Sequence, residues 1–265
     1  MDLGLTGRVA LVTAASRGLG LASAKALAAE GASVVICARG PQRLEEARRE
    51  VQGAAASGAR VEALVLDVAA AEAPHPLVGL ARERFGRLDV LVTNAGGPPP
   101  GSFANLGDAE WERAFQLTLM SVVRVVREAL PLLQASDQGR IVNLVSTSVK
   151  QPIDNLMLSN AMRAAVIGLA KTLSREVGGS GITVNNVLPG IILTDRQREL
   201  RGAEAARRGI SFEQAIAEAG RGVPLGRIGK PEEVGALVAF LASAHASYIT
   251  GTSIQVDGGL VVGMM

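Results

Sequence analysis

At 265 residues, with 48% hydrophobic and 20% charged side chains, the chain can bury a sizeable core, which excludes a disordered or low-complexity protein. A net charge of +2 and an aromatic content of 3% supply neither the basic surface nor the stacking side chains of a nucleic-acid binder. Cys37 is the lone cysteine and reads as a small buried hydrophobe; with His75 and His245 far apart in sequence, no disulfide and no His/Cys metal cluster is expected.

The first apolar run, residues 8–13, leads straight into glycines and reads as a strand, not as a signal peptide. No apolar run reaches the roughly 20 residues of a membrane span, so no membrane partner and a cytoplasmic location are expected. Helical patterns then alternate with Val/Ile/Leu-rich runs: a helix at 19–30, a strand at 33–38, a helix at 42–56 and a strand at 61–66. A helix at 77–84 and a strand at 89–93 follow, then a stiff proline loop at 97–101. The second half gives a long helix at 109–133, a strand at 140–146, a helix at 156–177 and a strand at 183–188. A helix at 232–242 and a strand at 253–256 close the chain. Strands without polar alternation are covered by helices on both faces. The expectation is one domain over 1–265, a Rossmann-type doubly wound parallel α/β sheet of about seven strands. Residues 194–224 fit the alternation poorly; they are helical in character, with Ser211 and Gln214 spaced as a capping box and Gly220 as a stop. Following a strand end, they are expected to form a lid over a ligand.

Residues 13–20, from Thr13 through Ser16, Arg17, Gly18 and Leu19 to Gly20, lie between a strand and a helix. Glycines there let the backbone approach a pyrophosphate, and the helix N-terminus offers free N–H groups and partial positive charge. The second strand ends on Cys37, Ala38 and Arg39, without the acid that bonds a ribose 2′-OH. Arg17 and Arg39 are suited to a 2′-phosphate instead, the other reading being two solvated surface arginines. The expected cofactor is NADP(H).

With these motifs in order, the chain resembles the short-chain dehydrogenase/reductase family over nearly its whole length, and within it the 3-oxoacyl-carrier-protein reductases. The residues that carry the resemblance are 13–20, with Ala14 in place of the family's first glycine, and Asp67-Val68, the pair that contacts adenine in the family. Asn94-Ala95-Gly96 follows the fourth strand, and Pro189-Gly190 with Ile192 and Thr194 matches the loop that holds the nicotinamide carboxamide. Ile249-Thr250-Gly251 and Val256-Asp257-Gly258-Gly259 match the C-terminal signature. The resemblance implies a small carbonyl or alcohol substrate and a homotetramer paired through the helices at 109–133 and 156–177.

The departure lies at the chemistry, for which the family uses Asn, Ser, Tyr and Lys. The serine is Ser146; the tyrosine position falls on Ser159, the lysine position on Arg163 and the asparagine position on Thr118. The only tyrosine is Tyr248, in the C-terminal signature. Ser159 and Arg163 share one helix face. A serine hydroxyl is a far weaker acid than a phenol of pKa near 10, and a guanidinium stays charged and relays no proton. Arg163 then either anchors the nicotinamide ribose, as the family lysine does, or forms a bidentate pair with an anionic substrate group. Lys150 and Asp154 are candidate replacement acids or plain loop charges. The lid residues Arg196, Arg198, Arg201, Arg207 and Arg208 either attract an acidic substrate or are solvated. Three functions remain open at this level: an NADP(H)-dependent oxidoreductase with a modified site, an NADP(H)-binding pseudoenzyme, sensor or partner subunit, and lyase or isomerase chemistry on the same scaffold.

Overall fold

The computed structural model describes residues 1–263; Met264 and Met265, the end of the domain expected over 1–265, lie outside the described residues. Seven parallel strands form one sheet in the order β3-β2-β1-β4-β5-β6-β7. They are β1 (Val9–Val12), β2 (Ser33–Ala38), β3 (Val61–Val65), β4 (Val90–Thr93), β5 (Arg140–Leu144), β6 (Thr183–Pro189) and β7 (Ser253–Val256). Nine α-helices accompany them among the described residues. They are α1 (Gly18–Ala29), α2 (Pro41–Ala54), α3 (Pro74–Phe85), α4 (Asp108–Ala114), α5 (Ser121–Ala135), α6 (Met157–Glu176), α7 (Asp195–Arg208), α8 (Phe212–Arg221) and α9 (Pro231–Ala242).

Because strand side chains alternate, each apolar run feeds two cores at once. Ala10, Val12, Val34, Ile36 and Ala38 pack with Leu21, Leu27, Leu44, Val51, Val238 and Leu241 of α1, α2 and α9. On the other face, Val9, Leu11, Val35 and Cys37 pack with Leu77, Val78, Val125, Val126, Leu133 and Val166 of α3, α5 and α6. Each fully buried Leu or Ile contributes about 1.5–3 kcal/mol over leaving it exposed. Burial pushes the Cys37 thiol up to about 12, so it stays protonated and inert. A polar ladder crosses the same sheet. The Thr93 hydroxyl donates to Asn143 Oδ1 at 2.7 Å, Asn143 Nδ2 donates to Asn186 Oδ1 at 2.9 Å, and Asn186 Nδ2 donates to Ser253 Oγ at 3.1 Å. The pairing Thr93↔Asn143↔Asn186↔Ser253 places these residues side by side across β4 to β7, which satisfies buried polar groups and pins the register.

Four details depart from the sequence reading. The helix expected at 109–133 is interrupted: α4 and α5 are separated by a π-helical stretch, Phe115–Met120. Helix α3 starts at Pro74, earlier than expected, because prolines in a first turn remove N–H groups that have no helical partner anyway. Strand β5 ends at Leu144, so Ser146 lies two residues beyond it in extended backbone and caps the short 3-10 turn Thr147–Val149. Gly220 does not stop α8, which runs on to Arg221; a Cβ there would sit 2.9 Å from Arg227 Cα, so its small size serves close packing instead. The Ser211–Gln214 capping box is present, with Ser211 Oγ accepting from Gln214 N at 3.1 Å.

Candidate functional site

All seven strands point the same way, so their C-terminal ends share one edge. The connections diverge between β1 and β4, where a crevice opens for a ligand. Thr13 and Asn94 meet there. The buried Thr13 hydroxyl donates to Asn94 O at 2.7 Å and accepts from Asn94 N at 2.7 Å, and Asn94 Nδ2 donates to Ala14 O at 3.1 Å. Thr13 and Asn94 therefore clasp the two loops to each other. A Cβ on Gly20 would lie 2.6 Å from Ala14 O and 2.8 Å from Asn94 Nδ2, so only glycine lets α1 start this close to the turn. Ala14 holds a left-handed conformation, φ +48, where a glycine would be unstrained.

Arg17 is the N-cap of α1 and makes no capping bond, and the first turn holds no acid. With Gly18 at φ +59, the helix therefore presents uncapped N–H donors beside half-buried Ser16 and Leu19, an arrangement that fits a pyrophosphate. Arg17 and Arg39 are exposed on either side of this opening, engaged only loosely by Glu199 at 3.8 Å and by Asp67 at 3.9 Å. Asp67 accepts from Ala69 N at 3.0 Å, which shapes the turn that carries Val68. Val68, Thr13, Asn94, Leu66 and Val122 line a narrow cleft. Ala95 and Gly96 continue from Asn94 toward the proline loop.

The far side of the crevice is built by the β6 end. Pro189 is buried and its carbonyl accepts from Thr147 Oγ1 at 3.3 Å. Buried Ile192 bridges to Gly229, with Leu193 N donating to Gly229 O at 2.8 Å. Thr194 caps α7, its hydroxyl accepting from Gln197 N, and its Cγ2 lies 3.5 Å from where a Cβ on Gly18 would be. The root of the 194–224 segment thus closes on the glycine turn.

Between these walls lie Ser146, Ser159, Arg163 and Thr118. Arg163 Nε donates to Ser159 Oγ at 3.1 Å, and its Nη1 donates to Val145 O at 2.7 Å and Leu144 O at 3.3 Å. The shared helix face is thereby realised, and the guanidinium is seated on the end of β5. Desolvation, with the charge of Arg196 nearby, pushes Arg163 down to about 10, so it remains cationic at neutral pH. Two of its nitrogens are already committed, which leaves the fork expected for a bidentate anion incomplete. Ser146 Oγ accepts from Ser148 N at 3.1 Å. Each serine oxygen thus takes one bond from a neighbour and keeps its own proton available to donate.

Thr118 is buried within the π-helical stretch, and its Oγ1 has no hydrogen-bond partner. It lines a small cavity with Asn94, Ala95, Leu144, Val145 and Arg163. π-Helical turns recur at functional sites because they turn one extra side chain inward. The sequence gives no periodicity signal for this stretch. Lys150 and Asp154 lie on exposed chain, and Tyr248, fully exposed at 102%, precedes β7 and so lies at the opposite edge of the sheet. His75 Nδ1 pairs with Glu128 at 3.0 Å and His245 Nε2 with Asp2 O at 2.7 Å; among the described residues no three His, Cys, Asp or Glu side chains gather as a metal site. No helix among them is long and apolar enough to cross a membrane.

A family model described as enoyl-(acyl carrier protein) reductase matches residues 13–261. The chain is 35% identical over 260 residues to the 3-oxoacyl-[acyl-carrier-protein] reductase of Thermotoga maritima, covering 97% of this chain and 99% of that one. Its fold is similar to L-sorbose reductase from Gluconobacter frateurii complexed with NADPH and L-sorbose, at a TM-score of 0.95 and 33% identity over 100% of both chains. It is also similar to an NADPH-bound short-chain oxidoreductase from Pseudomonas aeruginosa that contains an atypical catalytic center, at a TM-score of 0.90 and 34% identity, covering 98% and 99% of the two chains.

Proposed function

The chain belongs to the short-chain dehydrogenase/reductase family, and from that premise we propose that it is an NADP(H)-dependent oxidoreductase of small carbonyl compounds or alcohols with a rebuilt reaction centre. The observation that carries this reading is Arg163, fixed at the family's lysine position by Ser159 and two strand-end carbonyls. The nicotinamide, when bound, supplies or accepts the hydride.

The chain's own residues bind and orient. The open N-terminus of α1, with Ser16, Gly18, Leu19 and Gly20, receives the pyrophosphate, and Arg17 and Arg39 take the 2′-phosphate. Asp67, Val68, Asn94, Ala95 and Gly96 form the adenine and ribose side, with Thr13 holding their loops in place. Pro189, Ile192 and Thr194 face the nicotinamide end, and residues 194–224 close over it as a lid. Arg163 anchors the nicotinamide ribose. Ser146 donates a hydrogen bond to the substrate oxygen and keeps its own proton, and the nearby guanidinium stabilises negative charge that develops there. Water supplies the proton that the family's tyrosine would give, passed through the Ser159 hydroxyl, with Thr118 Oγ1 as a further acceptor. Residues 1–265 act as one unit, assembled as a homotetramer through α4–α5 and α6; a monomer in light scattering would refute that assembly.

One observation favours a second reading, a binding protein without turnover: no phenol replaces the missing acid, because Tyr248 lies outside the crevice. The deciding experiment follows reduced-nicotinamide absorbance with NADPH and a carbonyl panel, for the native chain and for Ser159→Tyr combined with Arg163→Lys. The native chain is expected to turn over slowly and the double variant about a hundredfold faster. Tight NADPH binding with no turnover in either protein would leave the binding reading standing.

A further inference from the structure

Resting on the oxidoreductase reading, we propose that Arg196 binds a carboxylate on the substrate, with Arg163 as its second cationic wall, so that the compounds turned over are oxo or hydroxy acids rather than neutral carbonyls.

Arg196 lies in the first turn of α7, at the root of the lid, and projects across the mouth of the crevice. Its Nη1 is 3.6 Å from where a Cβ on Gly97 would sit. Gly97 follows Ala95 and Gly96, and Ala95 lines the same cavity as Arg163 and Thr118. The guanidinium therefore stands on the reaction side of the crevice. At the phosphate side, it is Thr194 that meets Gly18.

The charge on Arg196 is uncompensated. Elsewhere on the lid, Arg208 pairs with Glu204 at 3.1 Å and with Glu218 at 2.7 Å, and Arg201 pairs with Glu204 at 2.5 Å. Among the described residues, no carboxylate lies within 4.0 Å of Arg196. A cation in the first turn of a helix also opposes the helix dipole, so folding alone gives it no reason to be there. Arg163 faces the same space and feels the field of Arg196, which lowers its affinity for its own proton. Gly97, lacking a side chain, leaves room between the loop and the guanidinium. Two like charges across one cleft are relieved by an anion between them, and a planar guanidinium with free donors matches a carboxylate.

The probes are 4-oxopentanoate and its amide, 4-oxopentanamide, which differ by one charge at almost equal size. The native chain is expected to prefer the acid by about tenfold or more in kcat/KM, since a charge-assisted pair is stronger than a neutral one. Arg196→Gln should abolish that preference through KM, Arg196→Lys should retain part of it, and both should keep native affinity for NADPH in a fluorescence titration. An acid preference unchanged in Arg196→Gln, together with weakened NADPH binding, would overturn the proposal and assign the residue to the cofactor pyrophosphate. Equal use of acid and amide by the native chain would overturn it too. Calorimetric binding of 4-oxopentanoate to the NADP+ complex separates this inference from the reading beneath it. Arg196-dependent binding without any turnover would sustain the carboxylate site while the oxidoreductase reading falls. No binding to the native complex would sink the site itself.

Discussion

The two edges of the sheet treat charged side chains in opposite ways. At the edge where the strands begin, Asp89 is fully buried, yet it accepts from Val9 N at 2.8 Å, from Arg87 Nε at 2.9 Å and Nη2 at 2.6 Å, and from the Ser136 hydroxyl. Arg8 and Arg87 join it to Asp137, and Arg8 holds the Asp137 carboxyl down at about 2. Buried Arg140 donates to Ser243 O and Gly139 O. At the edge where the strands end, Thr118 Oγ1 and Ser148 Oγ have no partner and Arg196 has no counter-ion. Thr183 Oγ1, at the start of β6, is buried without a partner as well, so what separates the two edges is the charged groups: networked at the base, with Arg196 uncompensated at the crevice.

The largest expected effect is at the base. Asp89→Ala removes the close acceptor of Arg87, of the Ser136 hydroxyl and of the Val9 N–H, and should lower unfolding stability by about 3 kcal/mol in a denaturant titration. Because the cofactor crevice lies at the other edge, NADPH affinity at low temperature should be preserved. A matching loss of NADPH affinity would show that the two edges are not independent. The contrast is sharpened at the head by Arg39→Ala. That change should weaken NADPH about tenfold while leaving NADH affinity and the melting temperature unchanged, since the side chain holds only a loose contact with Asp67. Equal losses for both cofactors would remove Arg39 from 2′-phosphate recognition. The smallest effect belongs to Ala14→Gly, which relieves a left-handed φ of +48 and should stabilise the protein by about 0.5–1 kcal/mol, read as a rise in melting temperature of a few degrees. An unchanged or lower melting temperature would mean that Ala14 is held without strain.

The sheet was legible in the sequence because strands covered on both faces need unbroken apolar runs, and runs such as Ser33–Ala38 hardly admit another reading. The pairing of Ser159 with Arg163 was legible for a similar reason, since a spacing of four fixes a shared helix face. The π-helical turn that buries Thr118 was not, because one extra residue per turn leaves no periodicity to detect. The engagement of Arg163 with the carbonyls of Leu144 and Val145 was hidden as well: backbone acceptors have no sequence signature. The approach of Arg196 to Gly97 joins residues nearly one hundred apart in the chain, which local pattern does not encode.

The clasp between Thr13 and Asn94 bears on how fast and how tightly a cofactor is taken up. Three short bonds fix the turn after β1 to the loop after β4, so those two loops have surrendered their freedom during folding and lose little more on binding. A dinucleotide laid across them meets a floor already in its final shape. Whatever rearrangement accompanies its arrival is then left to the opposite wall, the helices rooted at Thr194, and the residence time of the cofactor becomes a property of that one wall rather than of the crevice as a whole.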